Sequence, residues 1–166
     1  LSTEDLAIYT NASKELPVSI IATSITAVLM PQLVRLIHND KKEEAVNLWK
    51  SATTISFAVI SFIAAACFVF APEVIDVMYS AKYLPGVSVF RVYCLVLFTK
   101  CTYFGMMLNA TGKTKFILYC SIGTLALNLS LNYVFFTVLG FIGPAVATLI
   151  ATTLMKILQL IYTAKM

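Results

Sequence analysis

Between Lys115 and Lys156 stand 40 consecutive residues without a charged side chain, broken only by the small-residue stretch Leu139-Gly140-Phe141-Ile142-Gly143-Pro144. A bilayer-crossing helix needs about 20 mostly apolar residues, so this run has room for two crossings folded back on each other. A soluble domain of 166 residues has little reason to contain it. Hydrophobic residues make up 60% of the chain and charged ones 12%, against roughly a quarter charged in soluble domains. The net charge of +4 is too small and too scattered to argue for nucleic acid. The chain therefore reads as an all-α, polytopic membrane helix bundle, and its function has to be sought in the polar groups kept inside the apolar zone.

Five spans are expected, at about 5–37, 51–72, 84–108, 116–138 and 141–163. Ser2 and Asp5 fit a capping pattern at the start of the first, with kinks expected at Pro17 and Pro31. A charged link, His38 to Glu44, leads to the second span, which is free of charge between Lys50 and Glu73. Glu73 to Lys82 reads as interfacial, with Tyr79 and Tyr83 suited to the headgroup zone. The third span is unusual in holding Arg91 and Lys100, and a tight turn at Asn109-Ala110-Thr111-Gly112-Lys113 precedes the fourth. One face collects Arg35, Lys41, Lys42, Lys50, Lys113, Lys115 and Lys165; the other has Lys14 and Lys82. The positive-inside rule then puts the first face, and the C-terminal end, in the cytoplasm. Five spans starting outside, and a first residue Leu1 in place of Met, make a piece of a longer protein the expectation.

Arg91 and Lys100 are nine residues apart, about 180° around an α-helix, so they cannot share a face. Arg91 lies near the outer end, within reach of headgroups. Lys100 and Lys156 lie at similar depth in the cytoplasmic half, where an ammonium needs water, a partner or an anion. Together they are expected to line an inward-opening cavity, with snorkelling to the inner headgroups as the plainer alternative. Thr148, Thr152, Lys156 and Gln159 follow i, i+4, i+8, i+11 and read as one polar stripe on the fifth span. Gly143, Ala147 and Ala151 form a small-residue row beside it. Ser121, Thr124, Asn128 and Asn132 make a polar line on the fourth span, which is either interhelical hydrogen bonding or a second wall of the same pathway. The candidate substrate-binding residues are thus Lys100, Lys156, Thr152, Gln159, Asn128 and Arg91.

Other motifs lead nowhere. Gly112-Lys113-Thr114 copies the tail of a phosphate-binding loop, but Met107 occupies the position of the earlier glycine. Cys67, Cys94, Cys101 and Cys120 lie in apolar segments without metal spacing and read as core thiols. His38, the single histidine, sits in the charged link. No Ser/His/Asp set, metal cluster or pair of intramembrane carboxylates can be assembled. Neither an enzyme nor a cofactor or metal is therefore expected.

The order of several segments carries a resemblance. Tyr9-Thr10-Asn11-Ala12 leads into Ala27-Val28-Leu29-Met30-Pro31-Gln32-Leu33. Ala71-Pro72-Glu73 and Asn109-Ala110-Thr111-Gly112-Lys113-Thr114-Lys115 follow, and then Leu139-Gly140 through Gly143-Pro144-Ala145-Val146-Ala147-Thr148. Over nearly its whole length the chain resembles the C-terminal half of polysaccharide-type flippases in the multidrug/oligosaccharidyl-lipid/polysaccharide exporter superfamily. The resemblance implies a two-lobed transporter of twelve to fourteen helices that works by alternating access. Residues 1–166 would be a fragment of its C-terminal lobe, matching helices eight to twelve, with the N-terminal lobe missing. The implied activity is movement of undecaprenyl-pyrophosphate-linked oligosaccharide from the inner to the outer leaflet of the cell membrane, for surface polysaccharide synthesis. Its partners would be that lipid-linked cargo and membrane lipids. No binding motif of the family maps onto Lys100 or Lys156. Two alternatives stand beside this reading. One is a cation-coupled multidrug exporter of the same superfamily, for which Glu15 is the one candidate membrane carboxylate. The other is a membrane assembly subunit that transports nothing.

Overall fold

A computed structural model describes residues 2–14, 18–100 and 104–165. Its helices are α1 (Thr3–Ala12), α2 (Val18–His38), α3 (Lys42–Val69), α4 (Ala71–Tyr79), α5 (Val87–Lys100), α6 (Phe104–Ala110), α7 (Thr114–Leu139) and α8 (Gly143–Ala164). Short 3-10 turns at Ala81–Gly86 and Gly140–Ile142 connect them, and there is no strand among the described residues. Three stretches are long and apolar enough to cross a bilayer: Lys42–Val69, Ala81–Ala110 and Thr114–Ala164. The last contains both α7 and α8, and the chain is an all-α membrane helix bundle. Large apolar side chains point outward, including Phe62 and Tyr133 at 78% and Val138 at 73% exposure. Such a surface suits lipid, whereas a water-soluble monomer rarely exposes so continuous an apolar face.

Local chemistry explains the boundaries. The capping box at the start of α1 is present, with the Ser2 hydroxyl accepting from the Asp5 amide and the Asp5 carboxylate accepting from the Ser2 amide. The residues expected as one first span carry two helices, α1 and α2; Glu15 and Pro17 lie outside the described residues, and α2 continues through Pro31. α3 starts within the charged link because Glu43 and Glu44 favour the positive end of its dipole and Lys41 pairs with Glu44 at 2.8 Å. The third expected span carries α5 and α6, with Cys101 outside the described residues. Gly112, at φ +76°, ends α6 by letting the Lys113 amide reach back to the Leu108 carbonyl at 2.8 Å. The glycine of the false phosphate-binding motif is thus a helix terminator.

Contacts set the helix directions. Arg91 meets Phe68 and Phe98 meets Phe57, so α5 runs antiparallel to α3. α7 and α8 form an antiparallel hairpin, closed at one end by the approach of Gly143 to the Phe135 carbonyl and at the other by the Phe116–Tyr162 stack at 3.9 Å. A methyl group on Gly143 would collide with that carbonyl. Two apolar clusters bind the rest. One joins α1, α3, α4, α5 and α8 through Ala12, Ile60, Ala64, Ile75, Phe90, Leu97 and Ala145. The other joins α2, α3 and α6 through Leu29, Leu33, Ala45, Met106 and Met107. α1 docks on the 81–86 turn so closely that a Cβ on Gly86 would lie 2.8 Å from the Ala12 Cβ, and Glu4 pairs with Lys82 at 3.1 Å.

Candidate functional site

The seam between α5 and α8 is packed with small residues. Ala145 of α8 and Cys94 of α5 are both buried in one cluster, and the two helices leave a hollow on each side of their contact. One hollow is a cavity of about 200 Å³ lined by Phe90, Tyr93, Cys94, Val96, Leu97 and Lys100 of α5, Thr148 and Thr152 of α8, and Lys14 just beyond α1. Two lysines therefore line one mostly apolar cavity. Lys14 donates to the Asn11 side chain at 2.7 Å. The threonine hydroxyls are committed to backbone: Thr152 donates to the Thr148 and Leu149 carbonyls at 2.7 and 3.1 Å, and Thr148 to the Pro144 carbonyl at 2.9 Å. The lysines are thus the groups with net charge for an anion to meet. A lysine beside apolar walls is best accommodated by a partner of opposite charge, so two on one cavity favour an anionic occupant.

The sequence candidates separate in space. Lys100 and Thr152 line this cavity. Lys156 does not; it lines a groove on the other side of the seam, with Leu95, Phe98, Thr99, Thr153, Ile157 and Leu160. The single stripe expected on α8 breaks up because each i+4 step overshoots a full turn by about 40°, which puts Lys156 some 80° away from Thr148. Gln159 is 1% exposed and packs against Gly105 of α6, with its Oε1 lacking a hydrogen-bond partner. Asn128 belongs to a polar ladder between the hairpin helices: Asn132 donates to its Oδ1 at 3.0 Å, and its Nδ2 donates to the Thr148 hydroxyl at 3.3 Å. Of the two roles open to that polar line, interhelical hydrogen bonding is the one the contacts display. Arg91 holds the end of α3, its Nε donating to the Phe68 carbonyl at 3.2 Å and its guanidinium lying 5.6 Å from the Phe68 ring centre. The positive charge complements the negative end of the α3 dipole.

Sequence reasoning missed Lys14, which the charge count assigned to the opposite face from Lys100. The signal that could have found it is the pairing of Ala12 with Gly86. A small residue on each side lets α1 lie against the start of α5 and brings the residue after its end into the cavity.

An all-α bundle with outward apolar faces and a cavity lined by two lysines fits a polytopic membrane protein of the transporter class. The family description "Lipid II flippase MurJ" matches residues 4–166, and the chain belongs to that family. Members of this family are flippases of lipid-linked precursors, transporters of the cytoplasmic membrane and not enzymes. Comparison with curated proteins and with solved structures gives no match.

Proposed function

We propose that the cavity between α1, α5 and α8 receives the pyrophosphate of a polyprenyl-linked glycan precursor during its passage from the inner to the outer leaflet. The observation that carries this reading is the presence of Lys14 and Lys100 on one cavity in a chain of the MurJ family. A pyrophosphate offers two adjacent phosphoryl groups, one for each ammonium, and charge-assisted contacts of this kind are the strong ones. Lipid II, the cargo in the family description, is the favoured substrate. An undecaprenyl-pyrophosphate-linked oligosaccharide for surface polysaccharide is the second reading, supported by the sequence resemblance; the two share the group that the lysines would hold. In this reading the end of the bundle bearing Arg35, Lys41, Lys42, Lys113, Lys115 and Lys165 is cytoplasmic, and an N-terminal lobe of the same polypeptide completes an alternating-access transporter.

Transport by the full-length protein in vesicles, offered fluorescent lipid II, a pyrophosphate-linked oligosaccharide and a polyprenyl monophosphate sugar, tests both parts. Wild type should move pyrophosphate carriers in preference to the monophosphate, and Lys14→Ala with Lys100→Ala should abolish that preference. An intact preference in the double variant would remove the two lysines from cargo recognition. The ratio of the two pyrophosphate cargoes decides between lipid II and oligosaccharide.

A further inference from the structure

The Lys156 groove takes no part in the cavity just described and has a different chemical character. It holds about 380 Å³ and lies between α5 and α8. Its walls are Leu95, Phe98, Ile157 and Leu160, and its polar atoms come from Lys156, Thr99 and Thr153. Leu95, Ile157 and Leu160 are 41%, 46% and 43% exposed, so the apolar rim faces outward, while Lys156 is half-buried. The Thr99 hydroxyl donates to the Val96 carbonyl at 2.7 Å, and Lys156 is the charged side chain among the described residues that line the groove. Lys156 lies eight residues before Ala164, about 12 Å along the helix from the end of α8. That is too deep for an ammonium to sit fully among headgroups, yet its stem can lean toward them along the groove.

We infer that this groove is a binding site for an anionic bilayer phospholipid, whose phosphate meets Lys156 and Thr153 and whose acyl chain lies against Leu95, Phe98, Ile157 and Leu160. The occupant follows from charge and solvent. A membrane-embedded apolar groove that opens outward is filled by acyl chains, and a cation within it selects the chain that brings a phosphate of opposite charge. Basic pockets between transmembrane helices recognise anionic lipids in this way. A zwitterionic lipid brings its own ammonium and gains less.

The test uses the purified full-length protein in neutral detergent, with thermal unfolding followed as phosphatidylglycerol, phosphatidylcholine or inorganic phosphate is added. Phosphatidylglycerol should raise the unfolding temperature, while the other two at equal concentration should not. Lys156→Gln should weaken the response at least fivefold, measured as the concentration at half-effect, and Lys156→Arg should keep it. If Lys156→Gln fails to fold, Ile157→Ala with Leu160→Ala, which spares the charge, should weaken the phosphatidylglycerol response through loss of chain contact. An unchanged response in these variants, or an equal effect of phosphatidylcholine, overturns the inference. So does full reproduction of the shift by inorganic phosphate, since the site would then hold a phosphate ion and no lipid.

Discussion

On one side of the α5–α8 seam two lysines share a cavity; on the other a single lysine lies in an open groove with an apolar rim. The same two helices build both sides, from residues adjacent in sequence: Lys100 and Thr152 face one way, Thr99 and Thr153 the other. At about 100° per residue, one step along a helix is enough to change the company a side chain keeps. The similar depth expected for Lys100 and Lys156 from the sequence therefore says little about which surface each serves. What distinguishes them is the third element: α1 delivers Lys14 to the first side, and nothing comparable reaches the second among the described residues.

The largest effect should come from disturbing both sides together. Gly143→Val drives a side chain into the Phe135 carbonyl and shifts α8 against α7, which should destabilise the protein by about 3 kcal/mol in thermal or denaturant unfolding, the upper range for overpacking. Unaltered stability would mean that the α7–α8 hairpin is less closely set than described. Next, Lys14→Ala combined with Lys100→Ala should reduce transport of a pyrophosphate-linked cargo about tenfold or more, equivalent to about 1.4 kcal/mol. Lys156→Ala should cost less under the same conditions, and equal losses would erase the distinction between the sides. Gly86→Ala sharpens it further. The added methyl meets the Ala12 Cβ at 2.8 Å and the Ile8 side chain at 3.1 Å, so α1 must move and carry Lys14 with it. A destabilisation of about 1 kcal/mol and a several-fold loss of transport should follow, with the phosphatidylglycerol response of the Lys156 groove kept. The smallest effect, and of opposite sign, is expected at Asp40. This residue ends α2 at φ +60°, with the Lys41 amide bonded to the Leu36 carbonyl at 2.9 Å, so Asp40→Gly should stabilise by about 0.5 kcal/mol and leave both hollows as they are.

Much of the fold was legible because lipid imposes a coarse rule: long charge-free runs must be helical, and glycine or charge must separate them. The 116–155 run, the break at Gly140–Gly143, the Ser2–Asp5 cap and the Gly112 turn all follow from local chemistry that one sequence displays. The site was legible only by residue type. Lys100 and Lys156 stood out as membrane lysines, but their partition between two hollows depends on how α5 and α8 face each other. That facing involves buried apolar residues such as Ala145 and Cys94, which carry no polar signal. Arg91 looked like a headgroup contact until Phe68, 23 positions earlier in the chain, supplied its partner. Asn128 stood open between a pathway wall and an interhelical contact, and Thr148, 20 positions later, lies within 3.3 Å of it. Long-range pairings of this kind leave no mark in spacing.

The ladder from Asn132 through Asn128 to Thr148 has a consequence for how the protein enters the bilayer. The Asn128 amide bonds across to Thr148 where α7 and α8 touch, so α7 alone would turn that amide to hydrocarbon, while α8 keeps its Thr148 hydroxyl on the Pro144 carbonyl. The two segments should therefore leave the insertion machinery most readily as a joined couple. A chain interrupted at Gly140 would strand its last helix with two asparagines turned to lipid.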